Sequence, residues 1–146
     1  YTTMSYLPHV DTFPGADEGI NPLNDYAFNL NVTKSDKVKT AFYSFNGKKS
    51  VCDWTPDDYD DHDRVRDRHK KIKAKDWRRL SSENFQNYQL EYVANIEYNS
   101  LILYPSHYWH SVYIKEDWFT DTDRVTFTGF FETKTTSSKT KKLGFG

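Results

Sequence analysis

Three side chains of this sequence could together bind a metal ion. His9 and Asp11 form a His-x-Asp triplet, and His110 begins a β-type segment much later in the chain. Because residues i and i+2 of a strand point to the same face, His9 and Asp11 can reach one ion. Two imidazoles and one carboxylate on a β scaffold are the donor set of non-haem Fe(II) sites, which leave further coordination positions open.

A cationic side chain that follows these ligands could hold an anion. Arg124 begins a third β-type run, and Thr126 lies two residues later on the same face. An arginine binds a carboxylate through two parallel hydrogen bonds, so the sequence predicts an anion-binding role for Arg124. The alternative is an arginine at a strand edge that pairs with Asp121 or Asp123.

A second histidine, His107, competes with His110 for the third ligand position. His107 directly follows a Pro-Ser turn, where side chains are more often exposed. His110 opens a run in which Val112 and Ile114 share its face, as expected for a sheet interior. The pattern therefore favours His110 as a ligand. A core histidine that is only hydrogen-bonded remains the alternative for this residue.

These residues together resemble the Fe(II)/2-oxoglutarate-dependent oxygenases, most closely the prolyl-4-hydroxylase-like branch. In that family an HxD opens one strand, the distal histidine follows a strand that ends in Pro-Ser, and an Arg-x-Ser/Thr lies on the next strand. Here His9 and Asp11 match the HxD, His110 matches the distal histidine, and Arg124 with Thr126 matches the last motif. The resemblance spans most of the chain.

The resemblance implies an enzyme that binds Fe(II) through His9, Asp11 and His110 and uses 2-oxoglutarate as co-substrate. It also implies that the far carboxylate of 2-oxoglutarate is held by Arg124 and Thr126, and that Tyr6 donates a hydrogen bond to the co-substrate. The implied reaction consumes O2, hydroxylates a small-molecule or peptide substrate, and releases succinate and CO2. The sequence does not identify the substrate.

Two other functions remain open at this point. The first is a non-enzymatic jelly-roll module for binding or structure, in which the histidines and the aspartate are incidental, because a fold does not fix a function. The second is a cupin-like metal enzyme that does not use 2-oxoglutarate.

Most of the chain is predicted to form β-strands. Four runs have the alternation or composition of strands, at residues 26–32, 39–45, 88–98 and 101–104. Asn46-Gly47 predicts a hairpin turn into a further strand at 48–54. We expect the turn at Asn99-Ser100 to join the strands on either side of it as a tight pair. The predicted fold is all-β with a minor helical insertion, and the resemblance implies a double-stranded β-helix of the jelly-roll or cupin type.

A charged segment interrupts the strands. Thr55 at an N-cap, Pro56 at the first helical position and acidic residues in the first turn predict a helical insertion over 57–80. Its apolar residues are sparse, which predicts a surface helix on which His62 and His69 are exposed.

The length of 146 residues predicts one domain over 1–132, followed by a flexible polar tail over 133–146. Only eight residues precede His9, so the resemblance implies that part of the N-terminal region is missing. The net charge of −1 gives no field that would attract nucleic acid, and no apolar run approaches the length of a membrane span. A single cysteine, Cys52, excludes an internal disulfide, and we expect a cytoplasmic protein. The oligomeric state is not predicted.

Overall fold

The computed structural model describes residues 8–11, 25–69, 87–115, 118–120 and 123–132. The predictions for Tyr6, for residues 70–80 and for the tail at 133–146 lie outside these ranges. The described part contains six strands: β1 (Asp25–Asn31), β2 (Lys39–Phe45), β3 (Tyr88–Asn95), β4 (Leu101–Pro105), β5 (His110–Tyr113) and β6 (Thr126–Glu132). It also contains a short 3-10 helix (Val51–Asp53) and one α-helix, α1 (Pro56–His69).

The strands form two antiparallel three-stranded sheets. The first sheet has the order β4-β1-β6, and the second has the order β3-β2-β5. Beyond β5 the second sheet continues as a single bridge between His110 and His9. The two sheets meet at Tyr104 of β4, whose ring lies 4.7 Å from the His110 ring and 5.2 Å from the Phe42 ring. The prediction of a mostly β chain with a helical insertion is confirmed at this level.

The predicted pairing of β3 with β4 is wrong. β3 ends at Asn95 and pairs with β2, whereas β4 pairs with β1 in the other sheet. Asn99 adopts a positive φ of 58°, and this turn carries the chain from one sheet to the other. The residue types of a turn predict that the chain reverses there, but they do not predict which strand the next strand pairs with.

The strand predicted at 48–54 is also absent. Asn46 and Gly47 form the predicted reversal, with φ values of 49° and 78°, and Phe45 bridges Lys48 across it. Beyond that bridge the chain turns into the 3-10 helix, because the Ser50 side chain accepts a hydrogen bond from the Cys52 amide at 2.9 Å. Such a local hydrogen bond competes with the ladder of a sheet.

The hydrophobic core lies on one face of the second sheet and beneath α1. It comprises Val10, Ala41, Tyr43, Phe45, Val51, Val65, Tyr88 and Trp109. Val65 of α1 is only 1% exposed, so the helix buries one stripe against the sheet. His62 lies one turn earlier and packs against Trp54 and Trp109, with ring centroids 5.2 Å apart in both cases. The prediction of an exposed His62 is therefore wrong.

A capping arrangement begins α1 as the sequence predicts. Thr55 is the residue before the helix, and its amide and hydroxyl both donate to the Asp58 carboxylate, at 2.7 and 2.6 Å. The Lys48 ammonium forms an ion pair with the same carboxylate. Burial opposes ionisation of Asp58, but these hydrogen bonds outweigh it and hold its pKa below the ordinary 3.8. The Asp58 carboxylate thereby stabilises the start of α1 through Thr55 and the Asn46-Gly47 turn through Lys48.

Asp58→Asn should lower the free energy of unfolding by about 2 kcal/mol at neutral pH, because the capping bonds and the ion pair are lost together. A depressed pKa stabilises the fold above pH 3.8, and this contribution is lost as the pH falls below that value. The difference between wild type and variant should therefore shrink in acid. Urea unfolding at pH 7 and pH 3 measures it. Asp60→Asn, on the exposed face of α1, is the control, and an equal loss there would contradict the assignment.

Candidate metal centre

The backbone brings the three predicted ligands together. The His9 amide donates to the His110 carbonyl at 2.9 Å, and the His110 amide donates to the His9 carbonyl at 2.9 Å. The Asp11 amide donates to the Ser106 carbonyl, also at 2.9 Å. Val10 packs in the core on one side of this segment, so its two neighbours project to the other side, toward His110.

The side chains of His9, Asp11 and His110 form a group that could hold a metal ion. Each offers one ligand atom, and all three atoms lie within 4.8 Å of one another. The two imidazole rings have centroids 4.5 Å apart. His107 is not part of this group, and its ring packs on Tyr108 at 5.2 Å. Of the two competing histidines, the structure therefore brings His110 to the HxD residues.

The tautomer of His110 is fixed by a hydrogen bond to the backbone. Its Nδ1 lies 2.9 Å from the Tyr108 carbonyl oxygen, which can only accept, so the proton is on Nδ1 and Nε2 carries a lone pair. Burial and the neighbouring His9 lower the pKa of His110 to about 3, although the Tyr108 hydrogen bond opposes this. The imidazole is therefore neutral at physiological pH, and its Nε2 is ready to bind a metal.

The environment of the Asp11 carboxylate fits a bound cation. Its Oδ2 lies 3.4 Å from His110 Nε2, yet this buried oxygen accepts no hydrogen bond from any group in the described part of the chain. Burial raises the pKa of Asp11 above 3.8, and His9 partly offsets this effect. Two buried lone pairs face each other here, and a metal ion between them would satisfy both.

Arg124 lies two residues before the start of β6 and is partly buried. Its Nη1 donates a long hydrogen bond of 3.5 Å to the Thr126 hydroxyl. Burial and Asp11 raise the pKa of the buried Tyr104 above its ordinary 10, and the hydrogen bond from Asn29 and the charge of Arg124 oppose this rise. The charges of Asp11 and Arg124 thus act on the Tyr104 hydroxyl in opposite directions. Tyr6 and Asp121 lie outside the described residues.

The sequence predictions missed a set of polar residues beside the metal group. Asn29 is buried on β1, and it contacts Tyr104 on β4 and Thr128 on β6 through its side chain. The signal in the sequence was the alternation of apolar and polar residues along β1, with Asn29 and Asn31 at the polar positions. That pattern identifies the strand without saying which face points inward.

No protein-family model, no curated protein and no solved structure matches this chain. Across the ranges that the structure describes, no helix has the length and apolar character that crossing a bilayer requires.

Proposed function

We propose that this chain is an Fe(II)/2-oxoglutarate-dependent dioxygenase that hydroxylates a small-molecule or peptide substrate. The observation that carries the proposal is the group of the partly buried His9 and Asp11 with the buried His110, in which a lone pair of a neutral imidazole faces a carboxylate. Two imidazoles and one carboxylate would hold Fe(II) and would leave it free to bind a further ligand and O2.

The arrangement of the strands supports a double-stranded β-helix for this chain. Neighbouring strands in each sheet are mostly far apart in sequence, as in β4-β1-β6, and all of the pairings are antiparallel. Two packed antiparallel sheets with such crossovers are typical of jelly-rolls and cupins. In that fold the ligands lie between the sheets, as His110 does here beside Tyr104 of the opposite sheet.

Each site residue has a distinct role in the proposed reaction. His9, Asp11 and His110 hold the metal, and their backbone hydrogen bonds keep the side chains aligned before the metal binds. Arg124, with Thr126 beside it, holds the far carboxylate of 2-oxoglutarate. Bound Fe(II), with 2-oxoglutarate and O2, supplies the oxidising chemistry, while the protein supplies binding, orientation and exclusion of water.

Arg124→Ala should weaken 2-oxoglutarate binding by about 10- to 100-fold and leave Fe(II) binding unchanged, because a charge-assisted pair with the far carboxylate is lost. The measurement is an anaerobic titration of the Fe(II)-loaded chain with 2-oxoglutarate, followed by the visible charge-transfer absorption of the chelate. Arg64→Ala is the matched control, since Arg64 lies on α1, is 68% exposed and pairs with Asp61 at 3.1 Å.

The outcomes separate the proposed function from its two rivals. A folded chain that takes up no Fe(II) would support a non-enzymatic jelly-roll. A chain that binds a divalent metal but shows no 2-oxoglutarate absorption would be a cupin-like metal enzyme of another kind. An absorption that develops with equal affinity in wild type and Arg124→Ala would contradict the role of Arg124 alone.

A further inference from the structure

Three polar side chains form a hydrogen-bonded row across the first sheet. The Thr128 hydroxyl of β6 donates to Asn29 Oδ1 of β1 at 2.7 Å, and Asn29 Nδ2 donates to the Tyr104 hydroxyl oxygen of β4 at 3.2 Å. Asn29 and Thr128 are also direct cross-strand partners. On β4 the partner directly opposite Asn29 is Ile102, so the row continues diagonally to Tyr104, whose ring contacts His110.

The two hydrogen bonds of this row point the same way: Thr128 donates to Asn29, and Asn29 donates to Tyr104. An amide side chain has one accepting oxygen and one donating nitrogen, so an Asn29 oxygen that faces Thr128 leaves the nitrogen to face Tyr104. The Tyr104 oxygen accepts that hydrogen bond and keeps its own O–H proton to donate. Among the described residues no acceptor receives this proton in a hydrogen bond. A buried hydroxyl that keeps an unused donor beside a site is a ready-made contact for a bound oxygen atom.

The Tyr104 side chain is buried and is held in place by its neighbours. The residue is 5% exposed, and its ring packs against the Phe42 ring at 5.2 Å and the His110 ring at 4.7 Å. Its hydroxyl is fixed from behind by Asn29. The side chain is therefore buried against the candidate ligand His110, and the charge of Arg124 acts on its hydroxyl.

We propose that the Tyr104 hydroxyl donates a hydrogen bond to an oxygen atom of the anion that lies between the metal and Arg124. Asn29 and Thr128 are positioning residues, which act by keeping the Tyr104 proton pointed at that anion. The inference rests on the proposed function, in which the anion is 2-oxoglutarate. It adds a ligand contact from β4 that no motif in the sequence indicates.

Tyr104→Phe removes the hydroxyl and keeps the ring. We expect 2-oxoglutarate to bind about 10- to 100-fold more weakly to the Fe(II)-loaded variant, the usual effect of losing a hydrogen bond to a charged acceptor, with Fe(II) affinity unchanged. Anaerobic titration by the visible absorption measures both. Tyr43→Phe is the matched control, because Tyr43 is equally buried but faces the core and accepts from Ser111 at 3.3 Å.

Asn29→Asp tests the direction of the row with almost no change of shape. A carboxylate only accepts hydrogen bonds. In the variant the Tyr104 hydroxyl should therefore donate its proton to the new carboxylate and lose its hydrogen bond to the anion. We expect the same weakening as in Tyr104→Phe even though the tyrosine is intact. Thr128→Val, which only releases the far end of the row, should weaken binding less. Thermal unfolding of each variant checks that the fold is retained.

Repeating the titration with pyruvate, a 2-oxo acid without a far carboxylate, locates the hydrogen bond. A loss with both acids places it at the metal end, and a loss with 2-oxoglutarate alone places it at the Arg124 end. If Tyr104→Phe binds 2-oxoglutarate as tightly as wild type while Arg124→Ala does not, the role of Tyr104 is refuted and the proposed function stands. If wild type itself shows no 2-oxoglutarate absorption, both are refuted.

Discussion

His110→Ala should lower the affinity for Fe(II) by at least about 100-fold, the largest effect that we expect from any single substitution in this chain. The variant loses one of the three proposed ligands, whereas removal of mere supporting groups around a metal already costs about 10- to 100-fold. It also loses the imidazole whose tautomer Tyr108 fixes. Anaerobic titration calorimetry with Fe(II), or with Mn(II) as a redox-stable substitute, measures the affinity.

His107→Ala is the matched control for this prediction. It removes the same type of side chain three positions earlier, from a ring that packs on Tyr108 and lies outside the metal group. Its Fe(II) affinity should equal that of wild type. A loss in His107→Ala together with full binding in His110→Ala would reverse the assignment of the third ligand. Asp11→Asn, which keeps the shape of the side chain, should behave like His110→Ala if the carboxylate is a ligand.

Two of the three candidate ligands, His9 and Asp11, could be chosen from the sequence because their signal is local. The i, i+2 spacing of His9 and Asp11 defines one face of an extended segment wherever that segment lies. Bringing His110 to them requires a bridge between segments far apart in the chain, and here His9 and His110 exchange both backbone hydrogen bonds. The sequence alone contains no rule for that pairing, which was supplied by the resemblance to a family.

The sequence analysis missed Tyr104 and Asn29 because an alternation of apolar and polar residues defines two faces of a strand without showing which face is buried. Along β1 the apolar Phe28 and Leu30 alternate with Asn29 and Asn31, and the usual expectation buries the apolar set. The structure does the reverse, with Asn31 fully buried and Phe28 only partly buried. The outward face of the first sheet is apolar and exposed, as shown by Leu101, Leu103, Phe127 and Phe131, each more than half exposed. The inward face mixes Asn29 and Tyr104 with apolar residues such as Ala27, and it borders the candidate site at Tyr104.

The prediction that β3 pairs with β4 was wrong for a related reason. Asn99 gives a real turn with positive φ, and its amide donates to the Asn31 carbonyl at 2.9 Å. That hydrogen bond ties the turn to β1 rather than closing a hairpin. Local turn chemistry is readable from residue types, whereas the choice between two sheets depends on contacts that form only when the whole chain is assembled.

Trp109→Ala should lower the free energy of unfolding by about 3–5 kcal/mol, the usual cost of removing a buried tryptophan. Trp109 is 1% exposed and is the largest fully buried side chain among the described residues. Its ring stacks on Trp54 at 5.0 Å and packs edge-on against Tyr88 at 5.4 Å. The surrounding side chains belong to two strands, to α1 and to the segment before α1, so they cannot all collapse into the space. Urea unfolding measures the loss.

The same substitution should also weaken Fe(II) binding, because Trp109 directly precedes His110 and its carbonyl accepts from the Tyr43 amide at 2.9 Å. A cavity at the residue that precedes β5 should loosen the backbone that positions His110, the first residue of that strand. Trp118→Ala is the matched control, since Trp118 is only partly buried and packs on Tyr113 at 5.8 Å; its loss of stability should stay below about 1 kcal/mol. The contrary result is a strongly destabilised Trp109→Ala whose folded fraction binds Fe(II) with unchanged affinity. That result would show that the core and the candidate metal centre are independent. The backbone pairing of His9 with His110 would then be sufficient to hold the proposed ligands.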